Sequence, residues 1–134
     1  MELKDLASVA GKGGLYKILK PGKTGVLLES LDESKTKIVA NQNDRLSMLS
    51  EISIYSRTKD GTTPLIDVIT SIKKEFDADL GLDANADPAE LKSFLKTVLP
   101  EYDEDRVYTS DIRKLVRWYG IIRQYAPEIL EKKE

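Results

Sequence analysis

Residues 52–76 read ISIYSRTKDGTTPLIDVITSIKKEF, and within them the hydrophobic period changes from that of a strand to that of a helix. Ile52-Ser53-Ile54-Tyr55 alternates as a half-buried strand does. Further on, Thr63 offers a side-chain oxygen suited to an N-cap, and Pro64 sits where a first helical residue can do without its N–H. Leu65, Val68, Ile69, Ile72 and Phe76 then recur at helical spacing. The passage divides the chain into a β-rich part, residues 1–61, and a helical part, residues 62–134.

Upstream, Leu15–Lys20, Val26–Leu31 and Lys35–Ala40 are short runs rich in aliphatic and β-branched residues. Pro21-Gly22, Asp32-Glu33-Ser34 and a polar stretch from Asn41 to Asp44 separate them. Asp44 to Leu49 suits one helical turn capped by Asp44. So few short strands bury little alone, so the pattern predicts an SH3-like small β-barrel or a sheet backed by helices. Downstream, Asp87-Pro88-Ala89-Glu90 is a capping-box pattern before Leu91, Phe94, Leu95 and Val98. A third helix starts at Thr109 or Ser110 and carries Ile112, Leu115, Val116, Tyr119 and Ile122 on one face. Pro127 ends it, leaving Ile129-Leu130 as a short tail. The expected class is α+β, a small barrel followed by three helices.

Composition narrows the chemistry. The 134 residues are 40% hydrophobic and 33% charged, as in globular domains. Cysteine and histidine are both absent. Disulfides, thiolate nucleophiles, the commonest general base and the commonest metal ligand go with them. No apolar run approaches the roughly 20 residues of a spanning helix, and MELKDLASVAGKGG has no export-signal core, so a cytoplasmic address and no membrane partner are expected. Residues 1–61 hold ten Lys/Arg against eight Asp/Glu, a net +2, and residues 62–134 hold eleven against fifteen, a net −4.

Gly22-Lys23-Thr24 ends as a phosphate-binding loop does, but Lys17 stands where the first glycine must be. The next residues, Gly25-Val26-Leu27-Leu28, read as a strand where that loop needs a helix. A hairpin turn is the better reading. Lys12, Lys17, Lys20 and Lys23 nonetheless form an acid-free basic stretch around Tyr16, with Tyr55 on a later strand. Such residues suit single-stranded nucleic acid or an acidic peptide, and they equally suit a solvated strand edge. Arg113, Lys114 and Arg117 form a second basic group on the third helix. Asp79, Asp83, Asp87 and Glu90 fall at calcium-loop spacing, but Gly81 and Ala84 occupy positions that such a loop reserves for a ligand and a glycine. Asp103-Glu104-Asp105 has no histidine to complete an acid/base site.

The segments SVAGKGGLYKIL, EISIYS and VLPEYDEDRVYTSDIRKLVRWY resemble a bacterial family of small cytosolic proteins of unknown function from Bacteroidetes-type genomes. The resemblance spans nearly the whole chain, DRVYTSDIRKLVRWY being its most specific part, and it implies no catalytic residues. The residues themselves point to a non-catalytic binding or adaptor module that uses a basic, Tyr-bearing barrel surface and no cofactor. RNA, a ribonucleoprotein or an acidic protein segment is the expected partner. The alternative is a protein–protein regulatory module acting through the aromatic third helix, with Trp118, Tyr119, Ile122 and Tyr125.

Overall fold

We describe a computed structural model of the chain, over residues 2–11, 14–22, 25–41, 44–76, 82 and 85–131. Strands β1 (Leu6–Val9), β2 (Tyr16–Pro21), β3 (Gly25–Ser30), β4 (Lys37–Asn41) and β5 (Leu46–Met48) form one antiparallel sheet in the order β4-β3-β2-β1-β5. A hairpin of β6 (Ser53–Tyr55) and β7 (Thr62–Pro64) comes next. Helices α1 (Leu65–Glu75), α2 (Pro88–Val98), α3 (Thr109–Tyr125) and the short α4 (Glu128–Glu131) complete an α+β fold. The five-stranded sheet is open, with β4 and β5 at its two ends, so the expected SH3-like closure is not confirmed. Among the described residues no helix is long and apolar enough to cross a membrane.

Two turns show why the chain doubles back where it does. Between β3 and β4, Asp32 Oδ1 accepts hydrogen bonds from the Ser34 hydroxyl at 2.7 Å, the Ser30 hydroxyl at 2.9 Å and the Ser34 and Lys35 N–H groups. Those hydroxyl donors, Ser34 first, hold the exposed Asp32 carboxyl below its ordinary range. Gly61 closes the β6–β7 turn at φ +80, a conformation that favours glycine. At Gly25 the reason is proximity: a Cβ there would lie 2.4 Å from the Ala40 carbonyl oxygen of β4.

Both sheet faces carry buried apolar residues, and the two sets serve different cores. Successive strand residues point to opposite sides. On one side Val9, Leu28 and Ala40 are buried in a small cluster with Tyr16, Ile18, Val26, Ile38 and Leu46 around it. On the other, Leu6 and Leu15 join the main core beneath the helices. Helix α1 contributes Leu65, Val68, Ile69 and Ile72, α2 contributes Leu91, Phe94, Leu95 and Val98, and α3 buries Ile112, Leu115, Val116, Tyr119 and Ile122. These are the stripes that helical spacing selects.

Four local expectations need correction. Residues 46–48 form a strand paired with β1, because the Asp44 carboxylate accepts the Asn41 N–H at 2.9 Å and so does not cap a helix. A turn of 3₁₀ helix comes only at Leu49–Glu51. Thr63 belongs to β7, opposite Ile54, and its hydroxyl donates to Ser56 Oγ at 3.0 Å instead of capping α1. Pro64 therefore precedes α1 as its N-cap residue. The tail is also structural: Ile129 and Leu130 are buried in the main core. By contrast α2 starts as its sequence says, the Glu90 N–H donating to Asp87 Oδ1 at 2.9 Å with Pro88 first in the helix.

Leu6→Ala removes a fully buried side chain from the face where sheet meets helices. It is expected to cost about 2–5 kcal/mol in urea unfolding. Val39→Ala, at a side chain 60% exposed on β4, is expected to stay within about 0.5 kcal/mol. Equal losses from the two would contradict the placing of Leu6, and not Val39, on the part of the sheet that the helices cover.

Candidate functional site

The helix-facing side of β1 carries Leu6 and then Ser8, two residues on. Ser8 lies directly opposite Ser47 of β5, so a pair of small polar side chains succeeds a fully buried leucine. Above this pair opens a cleft of about 270 Å³. Its floor is Ser8 and Ser47, one wall is Ile52 to Tyr55 of the hairpin, and the other is Val107 with Asp111, Lys114 and Trp118 of α3. Spacings of three and four put those last three residues on one flank of the helix.

The polar groups of the cleft are unevenly committed. Asp111 Oδ2 accepts the Tyr108 N–H at 3.0 Å, closing the start of α3. Ser8, Ser47, Ser53 and Lys114 make no side-chain hydrogen bond or ion pair among the described residues. Tyr55 at the rim is 48% exposed, and the Arg106 guanidinium lies 5.5 Å from its ring centroid. That stacking is held from behind. The Asp103 N–H donates to the Tyr55 carbonyl at 2.9 Å, Ser56 bridges to Tyr102, and Arg106 Nε lies 3.7 Å from Asp103 Oδ2.

The acidic run is thus a docked loop in which each carboxylate has its own cation. Glu104 pairs with Lys96 at 3.8 Å and Asp105 with Arg57 at 3.5 Å. Beneath it Tyr102 is buried, and burial, with the Glu104 charge beside it, raises its phenol above the ordinary value.

Of the basic stretch around Tyr16, the described lysines lie on the side of the sheet away from that ring. Lys12 and Lys23 lie outside the described residues. Tyr16 packs on the small cluster, while Lys17, opposite Glu29, points to the other side of the sheet. Lys20 is exposed opposite Leu27, beyond an irregularity in β2, on the same side as Lys17. Glu128 on α4 is held below the usual carboxylate range first by its own backbone N–H, with Lys17 only a minor contributor. The three cations of the second basic group, on α3, diverge. Arg113 donates to the Ala86 carbonyl at 3.3 Å, Lys114 faces the cleft, and Arg117 is exposed. Of the aromatic face, Tyr119 and Ile122 are core, and Trp118 and Tyr125 are half-buried. Asp79 and Asp83 fall outside the described residues, and Asp87 with Glu90 form the α2 cap.

The structure brings together Tyr55 and Lys114, from two separate basic-aromatic groupings, with Trp118. Ser8, Ser47 and Ser53 are cleft residues that the sequence pattern alone does not single out. Ser8 and Ser47 face each other across β1 and β5, which is legible only once those two short strands are recognised as a pair. For the acidic loop, Glu104→Gln and Asp105→Asn are each expected to change stability by less than about 1 kcal/mol, because their partners are exposed. Denaturant melts check this, and a larger loss from either would reveal a coupled charge network.

Comparison with known proteins gives the chain a family. Residues 52–122 match the model of a domain of unknown function, DUF6852, and residues 3–49 match that of a second, DUF5606. The break between them falls at the 3₁₀ turn Leu49–Glu51, upstream of the division expected between 61 and 62. No curated protein matches. A solution NMR structure of a structural-genomics target from Bacteroides vulgatus is similar at 36% identity and a TM-score of 0.68, over 90% of this chain and 84% of that one. Fold and sequence therefore agree with the Bacteroidetes-type resemblance, and the chain belongs to the DUF6852 family, preceded by a DUF5606-like sheet.

Proposed function

We propose that the protein is a non-catalytic binding module and that the cleft holds a segment of a partner protein. One observation carries this reading: Tyr55, Lys114 and Trp118 line a single concavity between sheet, hairpin and helix. Tyrosine and tryptophan beside a cation are the side chains on which protein interfaces concentrate their energy. At about 270 Å³ the space is below the usual range of small-molecule sites and suits one or two side chains.

An RNA partner has less support. A phosphate backbone needs several cations in line, whereas the cleft has one lysine and the sheet's described lysines, Lys17, Lys20 and Lys37, face away from Tyr16. The acidic protein segment expected from the sequence remains the fitting class, with Lys114 as its counter-charge.

A pull-down from native lysate, with and without nuclease, tests the choice. Wild type and a Lys17→Gln/Lys20→Gln variant are expected to retain a nuclease-resistant partner that Tyr55→Ala/Lys114→Gln loses. Capture that nuclease removes, or that depends on Lys17 and Lys20 alone, would overturn the protein-segment reading in favour of nucleic acid.

A further inference from the structure

Strand β4 ends the sheet, and its pairing with β3 uses one of its two edges. The Ser30 N–H donates to the Thr36 carbonyl at 2.8 Å, and the register continues with Leu28 opposite Ile38 and Val26 opposite Ala40. Alternation along an antiparallel ladder therefore turns the main-chain groups of Ile38 and Ala40 towards β3, and those of Lys37, Val39 and Asn41 outwards. An aspartate closes this outer edge at each end. Upstream, the Lys35 N–H donates to Asp32 Oδ1 at 3.1 Å. Downstream, the Asn41 N–H donates to Asp44 Oδ2 at 2.9 Å, and the Asn41 carbonyl accepts the Asp44 N–H at 3.0 Å. Between these closures the N–H and C=O groups of Lys37 and Val39 have no partner among the described residues. Val39 adds an aliphatic side chain that is 60% exposed.

The open window is symmetric about Ile38: Lys37 and Val39 flank it on either side, and the closed positions Lys35 and Asn41 lie equally far beyond. That symmetry suits a second copy of the same strand. We propose that the β4 edge joins two copies of this chain in an antiparallel, two-fold ribbon centred on Ile38. Lys37 of one copy pairs with Val39 of the other, and the reciprocal pair follows from the two-fold. All the open main-chain groups are then used, and neither closed position has to open. Ile38 meets Ile38 of the other copy at the closer, non-hydrogen-bonded position, on the side of the small sheet cluster, and extends that cluster across the seam. Lys37 faces an aliphatic side chain, not another lysine, and keeps Glu29 opposite it on β3. So short a ribbon buries little area, and the dimer is weak, with a Kd of about 0.1–1 mM. The contact lies apart from the cleft and does not depend on what the cleft binds.

The test follows the full chain, ¹⁵N-labelled, from about 10 μM to about 1 mM by sedimentation equilibrium and amide hydrogen exchange. The Lys37 and Val39 amides are expected to gain protection as concentration rises, while those of β5, at the other end of the sheet, do not. Val39→Lys sets a lysine against Lys37 of the other copy and is expected to weaken association about tenfold. Val39→Glu sets a carboxylate there and is expected to tighten it about threefold. Because the Val39 side chain is exposed, both variants are expected to keep the wild-type Tm at low concentration, which separates loss of the contact from loss of the fold. A ribbon centred on Val39 would set like charges face to face in either variant, so weakening by both would overturn the proposed pairing. Association that neither variant changes would move the contact to another surface and overturn it as well. A chain that stays monomeric up to about 1 mM would overturn it outright.

Discussion

Strand β1 has four residues and must serve two cores at once. Leu6 faces the helices and is fully buried, whereas Ala7 and Val9 face the other side, where Val9 anchors the small sheet cluster. Strand alternation makes this division unavoidable, and a one-residue slip would exchange the two sets. Pairing on both edges, with β2 and with β5, holds the register. The position of Ser8 is a consequence. With Leu6 fixed in the helical core, the next residue on that face must look at α3 across from Ser47, and its size decides whether the core continues or a cleft opens.

Legibility in the sequence depends on the length of each element. Helices α1, α2 and α3 carry apolar stripes over three turns or more, and α2 has its own capping residues, so type and extent can be read directly. Strands β2, β3 and β4 are bounded by turn formers. β1, β5 and β7 have three or four residues each, too few for a period to stand out. Thr63-Pro64 misleads for a physical reason: a hydroxyl that suits an N-cap also suits a neighbouring serine, and tertiary pairing with β6 decides between them.

The site is less legible than the fold because its charges and hydroxyls acquire meaning only from neighbours distant in sequence. Lys17 belongs to an acid-free stretch along the chain, yet in space it has Glu29 opposite and Glu128 nearby. Asp103, Glu104 and Asp105 form an acidic run, yet each meets a different cation. Local charge density in the chain is therefore a poor guide to local charge on the surface. Lys114 is one of four cations on α3, and the direction of the helix singles it out.

The cleft is built from both family segments. Ser8 and Ser47 come from the segment matching DUF5606, and every other lining residue comes from the one matching DUF6852. Neither segment encloses the space alone. The sheet supplies a polar floor that its own packing does not need, and the hairpin and α3 supply apolar walls with a single cation. Filling the floor with aliphatic side chains would be the simpler way to join the layers, since buried apolar area is what stabilises such a contact. Keeping serines there forgoes that contact where the two segments jointly line a concavity. Ser47 is exposed and Ser8 half-buried, so their hydroxyls stay within reach of water and avoid the cost of an unpaired buried polar group.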